Sequence, residues 1–414
     1  MIGAIERQLE LQIEELAEQK ETEFDKVNYE KYSGVYTIAI RFFKKQRVLL
    51  YGGLALNELL PESDKFYSKF TLPDIDVFCV NAKRMAKQLV AEYVKAGYKY
   101  AAAKEALHEG TWKVFAEGLQ VADVSDVSDA IYKRLYKGSI RLRKGYGIRI
   151  VSLDFLRLSL HAMLSQPYDV HRWSKVVTRM IAFYGIYPPK CRQLDRGILE
   201  EMAKSEEPLP PITDVRKVRA TMLKFIKANQ YVLFGADAIE AFVKHDAWDY
   251  MIAAQMPYYQ LLVDGDPSVP AQALVDVLKG NGMEGARMSK KYAGDIILPD
   301  HVFVTYKDSK TGKCVSLASF YATEMCLSYV QIGKLRFASV NTMCRMYMSL
   351  ILGGAQSKHV RCIIDTLAFL QFSMFLPSYA KKYGKLYEAF VVQCYGNQSG
   401  LITMRRNQIE RILK

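Results

Sequence analysis

The sequence predicts an α+β protein of two similar domains in tandem, each a small mixed sheet with flanking helices, the second stripped of acids that the first carries. Three observations predict it. A strand–glycine–helix unit, "VLLYGGLALNELLP" (48–61), is followed by two short apolar segments that each bear acids, "PDIDVF" (73–78) and "QVADVS" (120–125). A stretch like the first unit returns in the second half as "YVLFGADAIE" (231–240). Helical periodicity alternates with short strand-like runs along the chain, which marks a mixed architecture.

Composition bounds the possibilities. At 414 residues the chain has room for two or three cores. Half the residues are apolar (50%) and 24% are charged, which excludes a disordered chain. No apolar run approaches the roughly 20 residues of a membrane span, so no membrane partner is expected. The acidic, amphipathic start "MIGAIERQLELQIEELAEQK" is neither a secretory signal nor an Arg-rich transit peptide. The 7 cysteines are scattered without a C-x-x-C pair. Such a set points to reduced thiols in an intracellular, reducing compartment and away from a zinc site. The formal charge of +13 favours a polyanionic partner, most simply nucleic acid.

Each element has its own signal. Ile2, Ile5, Leu9, Ile13 and Leu16 recur at helical spacing and give one helix over 1–26. Residues 47–51 are apolar enough for a central strand, and 54–60 suit a helix that Pro61 stops. "DIDVFCV" (74–80) reads as a strand and "AKRMAKQLVAEYVKAGY" (82–98) as a helix closed by Gly97. "TWKVFAEGLQVADVS" (111–125) holds two short strands about Gly118, and "SIRLRKGYGIRIVS" (139–152) reads as a basic hairpin. Helical spacing runs from Asp154 to Tyr184, broken at Gln166-Pro167. "AKSEEPLPPITD" (203–214), rich in proline, marks a linker. The expected division is therefore an N-terminal helix (1–30), a first domain (31–205), a linker (206–214) and a second domain (215–414).

The second domain repeats the first. "FFKKQRVLLYGGLALN" (42–57) aligns without gaps on "FIKANQYVLFGADAIE" (225–240). Phe42, Lys44, Leu50, Gly52 and Ala55 meet identical residues, and Tyr51 and Leu56 meet the similar Phe234 and Ile239. "AKQLVAEYVKAG" has a counterpart in "AQALVDVLKGNG" (271–282), and "RIVSLDFLR" (149–157) in "RFASVNTMC" (336–344). Three matches in one order point to a duplication of a domain-sized unit.

The chemistry lies in the acids. Residues i and i+2 of a strand share a face, so Asp74 and Asp76 project side by side. Two such carboxylates repel unless a cation sits between them, and Mg²⁺ favours carboxylates plus substrate phosphates. Asp123, flanked by apolar residues, is a third acid at a buried-looking position; Asp126 is a weaker substitute. Three carboxylates can hold two metals about 4 Å apart, one for an attacking hydroxyl and one for a leaving pyrophosphate. Gly52 and Gly53, without side chains, let backbone N–H groups approach phosphates at a helix start. In the second copy "PYYQL" (257–261) stands where the first has "PDIDV", and Ala236 and Asp237 replace Gly53 and Leu54. That copy has lost the acids.

The ordered set of glycine turn, paired acids and single acid resembles the nucleotidyltransferase superfamily of DNA polymerase beta. More closely, "LYGGLALNELLP", "PDIDVF", "ALHEGTWKVF", "QVADVS" and "SLDFLRLSLHAMLSQPYDVHRWSKV" resemble the poly(A) polymerase catalytic subunits of large nucleocytoplasmic DNA viruses. The viral group shares the long stretch between Gly53 and Asp74. The resemblance implies two tandem polymerase beta-like nucleotidyltransferase domains, the second catalytically degenerate and helping to clamp RNA. It implies template-independent transfer of AMP from ATP to an RNA 3′-hydroxyl with two Mg²⁺ or Mn²⁺ ions and release of pyrophosphate. Asp74 and Asp76 would ligate both ions, and Asp123 the ion at the 3′-hydroxyl. A homodimer or a processivity subunit, and a place in the host cytoplasm or virion, are implied by the same resemblance. Other activities of the fold (uridylyl transfer, CCA addition, oligoadenylate synthesis) and a non-catalytic RNA scaffold are the alternatives, since no residue fixes adenine.

Further candidates are basic. Arg172, Lys175 and Arg179 form a helical stripe, of which Arg172 and Lys175 are the candidates for triphosphate contact; a solvated face is the plain alternative. Lys133, Arg134, Lys137, Arg141, Arg143 and Lys144 lie in an acid-free stretch with three tyrosines, a composition suited to single-stranded RNA. His161 and His171 lack partners at metal spacing, and His108-Glu109 reads as a turn.

Overall fold

The computed structural model describes residues 2–142, 145–189, 215–242, 258–307, 312, 314–323, 325–354, 358–375, 388–398 and 400–413. It is α+β, with two mixed sheets. The chain forms two compact units, Met1–Leu156 together with Gly400–Lys414, and Arg157–Ser399. The expected linker, 206–214, lies outside the described residues.

In the first unit a long helix α1 (Ile2–Lys45) precedes β1 (Leu49–Leu50), α2 (Gly52–Leu59), β2 (Ile75–Cys79) and α3 (Ala82–Lys95). Then follow β3 (Ala101–Glu105), β4 (Thr111–Ala116), β5 (Leu119–Asp126) and α4 (Asp129–Lys137). The sheet runs β1-β2-β5-β4-β3, with only β2 and β5 parallel. On the free side of β1, Leu50 bridges Ile150, so the strand is central as its apolarity predicts. Ile75, Val77, Val114, Val121, Ala122 and Val124 are buried along the sheet. Helix α3 covers it with Ala82, Ala86, Leu89 and Tyr93, one helical face. Full burial of a side chain the size of Leu89 stabilises by about 1.5–3 kcal/mol. The Tyr93 hydroxyl donates to Val35 O at 3.0 Å and ties α3 to α1. Helix α3 starts on Asn81, whose side chain accepts from Arg84 N, and ends before Gly97 at φ +90°.

The second unit repeats this plan. Helix α5 (Leu153–Leu164) runs from the first unit into it; α6 (Trp173–Ile186) follows after the break at Pro167. Then come α7 (Val215–Asn229), β6 (Val232–Leu233), α8 (Ala236–Phe242), β7 (Tyr259–Asp264) and α9 (Ser268–Gly280). Strands β8 (Ala286–Met288), β9 (His301–Lys307), β10 (Cys314–Thr323), β11 (Leu327–Ile332) and β12 (Leu335–Ala338) lead to α10 (Val340–Leu352), α11 (Lys358–Met374) and β13 (Cys394–Tyr395). Within the order β13-β11-β12-β6-β7-β10-β9-β8, the run β6-β7-β10-β9-β8 matches β1-β2-β5-β4-β3 in order and in the sense of every pair. Both sheets also carry an irregularity at the same place. The register of β5 on β4 skips Val121, and that of β10 on β9 skips Leu317.

Three expectations need correction. The first helix extends to Lys45, well past residue 26, because the following stretch holds no proline and is helical once packed on α3. Among the described residues of 139–152, the expected hairpin is reduced to one antiparallel bridge between Ile140 and Ile150. The basic stretch before it is the helix α4, whose Ile131, Tyr132 and Leu135 are buried at helical spacing. Cys326 and Cys394 form a disulfide, where the sequence suggested thiols only; pairing of β11 with β13 brings them together across 68 residues. Among the described residues, Cys79, Cys314 and Cys344 are free. A last helix, α12 (Leu401–Leu413), belongs to the first unit, where Arg411 meets Glu105 at 2.6 Å. Among the described residues no helix is long and apolar enough to cross a membrane.

Candidate active site

The glycine turn is built for a close approach. Tyr51 is extended (φ −137°), and α2 starts at Gly52 with φ +71°, a conformation that favours glycine. Tyr51 N donates to Asp76 O at 2.9 Å, which fixes the turn to β2. A Cβ at Gly52 would collide with Asp76 Oδ2 and stand 3.0 Å from its Cγ. The glycine is therefore what leaves room for the carboxylate, whatever else it binds.

Parallel pairing of β2 and β5 sets Asp76 opposite Asp123. Asp74 enters from the residue before β2, and carboxylate oxygens of Asp74, Asp76 and Asp123 all lie within 4.8 Å of one another. Asp74 is exposed, and Asp76 and Asp123 are half-buried. An all-oxygen set this tight is the donor chemistry of a hard divalent cation.

Two polar residues that sequence reasoning missed complete the cluster. Lys113 lies across from Asp123 on β4, and its Nζ donates to Asp123 Oδ2 at 2.7 Å and Oδ1 at 3.0 Å. Gln120 Nε2 donates to Asp123 Oδ1 at 3.1 Å and Asp74 Oδ2 at 3.3 Å. Positions three apart on a regular strand face opposite ways; the bulge at Val121 resets the parity and brings Gln120 to the face of Asp123. Burial pushes the Asp123 carboxyl above the usual carboxylate range; Lys113 draws it back down, and the Asp74 charge pushes it up again. Beneath the site Tyr51 stacks on Phe78 with centroids 3.9 Å apart, and its hydroxyl lies 2.9 Å from Ser125 Oγ. Burial, then the charge of Asp76, pushes the Tyr51 hydroxyl well above its ordinary value.

The remaining candidates divide. Asp126 is taken up structurally: its Oδ1 accepts from Asn81 N at 2.7 Å and holds the start of α3. Lys133, Arg134 and Lys137 are exposed on α4, and Arg141 is exposed beyond it. Lys133 pairs with Asp129 at 2.5 Å. Tyr132 is buried, with Arg47 over its ring, so it offers no open face to a base. Arg143 and Lys144 lie outside the described residues. Arg172 and Lys175 belong to the second unit, both exposed, Arg172 just before α6 and Lys175 on it. His161 is fully buried: Nδ1 donates to Asn341 Oδ1 and Nε2 accepts from Tyr184, each at 3.0 Å. It is a satisfied core residue. His108 and Glu109 form the exposed turn between β3 and β4.

In the second sheet the same backbone carries other side chains. Phe234 N donates to Gln260 O as Tyr51 N does to Asp76 O, and Gln260 faces Ser319 as Asp76 faces Asp123. Tyr258, Gln260 and Ser319 thus stand at the three acid positions.

Comparison with known proteins falls on the same stretch. Residues 37–170 match the family model of the poly(A) polymerase catalytic subunit. A protein of Acanthamoeba polyphaga mimivirus provisionally named as such a subunit is 23% identical over 237 residues, 53% of this chain and 36% of that protein. An African swine fever virus protein with the same provisional name is 28% identical over 133 residues, 31% of this chain and 26% of its own. The matched regions thus span well under half the length of these relatives. The crystal structure of the Megavirus polyadenylate synthase superposes with a TM-score of 0.73 at 18% identity, over 97% of this chain and 81% of that one. The resemblance read from the sequence is borne out: the stretch that bears the glycine turn and all three acids is similar to viral poly(A) polymerase catalytic subunits, and the chain shares the fold of a viral polyadenylate synthase.

Proposed function

We propose that the protein is a template-independent RNA adenylyltransferase, transferring AMP from ATP to an RNA 3′-hydroxyl with release of pyrophosphate. One observation carries the reading: three carboxylates converge beneath a glycine turn in one sheet and are absent from its otherwise matching twin. The similarity of residues 37–170 to poly(A) polymerase catalytic subunits supports adenylate as the transferred group.

Asp74, Asp76 and Asp123 would hold Mg²⁺ or Mn²⁺, which when bound would lower the pKa of the attacking hydroxyl and offset charge on the phosphates. The chain's own part is positional. Gly52 leaves space for the Asp76 carboxylate and lets the backbone of Gly52-Gly53 approach the triphosphate. Lys113 and Gln120 hold Asp123 toward its neighbours. Arg172 and Lys175 are proposed to meet the triphosphate, and the α4 surface with Lys133, Arg134, Lys137 and Arg141 to meet RNA. The degenerate second unit is proposed to help hold the strand.

The test is extension of a short labelled RNA with Mg²⁺ or Mn²⁺ and each NTP alone, for the native chain and for Asp74→Ala and Asp76→Ala. Long tails with ATP only, abolished in both variants, are expected. Short products, or products dependent on CTP or UTP, favour another nucleotidyltransferase. RNA binding without extension in any variant rejects the enzyme reading.

A further inference from the structure

Beyond holding Asp123 in place, Lys113 engages both oxygens of that carboxylate with its ammonium. The pair is largely enclosed, with side-chain exposures of 29% and 17%. An ion bound by Asp123 would need one of the same oxygens.

The chain contains its own comparison. In the second unit β9 and β10 keep the pairing, the bulge and the register of β4 and β5. Across from Ser319, the counterpart of Asp123, lies Phe303 where Lys113 would be. Across the bulge, Ser316 stands in the place of Gln120. Backbone geometry survived the duplication, whereas the lysine, the glutamine and the acids are missing together. A lysine needed only to build the sheet would have had the same reason to stay in both copies.

We propose that Lys113 is a positioning residue which aims the Asp123 carboxylate into the acid cluster and competes with the divalent cation for its oxygens, so that cations load in order, first at Asp74 and Asp76 and then, more weakly, at Asp123. The proposal rests on the three acids being a metal site. Three carboxylates carry three negative charges within 4.8 Å, and Lys113 offsets one of them before any ion arrives. With Nζ–O at 2.7 Å and metal–oxygen distances of about 2.1 Å, an ion on Asp123 would lie within about 5 Å of the ammonium. Even at the dielectric constant of water, repulsion at that distance weakens a divalent ion about tenfold.

The experiment is Mn²⁺ binding to the full chain at pH 8, without RNA or ATP, read by electron paramagnetic resonance of the free ion. The native chain is expected to show two classes of site at least about tenfold apart. Lys113→Met should tighten the weaker class about tenfold, Lys113→Arg should restore native behaviour, and Asp123→Asn should remove the weaker class in either background. Unchanged or weaker binding in a folded Lys113→Met chain overturns the proposal. So does failure of both Lys113→Met and Lys113→Gln to fold, which would make the lysine part of the sheet's construction. If instead native Mn²⁺ binding is absent, or is untouched by Asp74→Asn and Asp76→Asn, the metal-site reading itself falls.

Discussion

Gly52→Ala tests the site at its tightest point. Alanine at φ +71° costs about 1–2 kcal/mol relative to an ordinary backbone conformation. Its Cβ would also collide with Asp76 Oδ2 and stand 3.0 Å from Cγ, inside the 3.4–4 Å of ordinary contact. Asp76 cannot retreat along its backbone, because its carbonyl is held by Tyr51 N at 2.9 Å. The carboxylate must therefore swing by something on the order of 1 Å, a misplacement that costs about 100-fold in rate when the group is catalytic. The matching residue of the second unit supplies a control. A Cβ at Gly235 would stand 3.0 Å from Gln260 Oε1, 3.2 Å from its Cβ and 3.3 Å from its Cγ. A shift of a few tenths of an ångström relieves that crowding, which is no outright collision, and Gly235 is not among the residues with positive φ. RNA extension under single-turnover conditions, with thermal melting in parallel, should show Gly52→Ala slowed about 100-fold and Gly235→Ala within a few-fold of native. A folded Gly52→Ala chain within about threefold of native activity would refute the argument that Gly52 exists to seat Asp76.

Two further outcomes concern stability. Burial pushes His161 down to about 4, with Asn341 pulling weakly the other way. Between about pH 6.5 and 4 the unfolded chain binds a proton that the folded chain refuses, so stability falls as pH drops through that window, by about 3 kcal/mol in total. Urea denaturation at pH 7.5 and 4.5 should show this loss, and a His161→Gln variant should show a shallower one; equal slopes would refute it. Arg411→Ala removes the 2.6 Å pair with Glu105 and the bond to Leu107 O, leaving a carboxylate of 13% side-chain exposure without its cation. A loss of about 2 kcal/mol and faster proteolysis at the C-terminus are expected, and an unchanged melting curve would count against that contact.

The parts of this fold that sequence reasoning reached are those with local causes. Pro61 and Gly97 end their helices, and the apolar run at Val48–Leu50 makes a strand, because dihedral preference and burial act within a few residues. Asp74, Asp76 and Asp123 were legible because strand parity and apolar flanks are written in the sequence. Lys113 and Gln120 were not. Their meeting with Asp123 depends on which strand neighbours β5 and on one extra residue at Val121, and pairing register is a tertiary property. The same reason hides the link between Cys326 and Cys394. The hairpin expected over 139–152 failed because charge density says little about backbone form, and just before it buried Ile131, Tyr132 and Leu135 make a helix. A signal for Lys113 did exist, in the comparison of "TWKVFAEGLQVADVS" with "HVFVTYK" and "VSLASF" of the second copy, but only once register aligns them.

The paired bulges at Val121 and Leu317 have a meaning of their own. In the first sheet the extra residue turns Gln120 toward the acids; in the second it turns Ser316 toward a serine and a glutamine. The same aiming device is thus present both with the acids and without them. The two sheets differ in a handful of side chains laid over one strand order and register, so on the proposed reading the second unit stands apart from catalysis without any change of sheet topology.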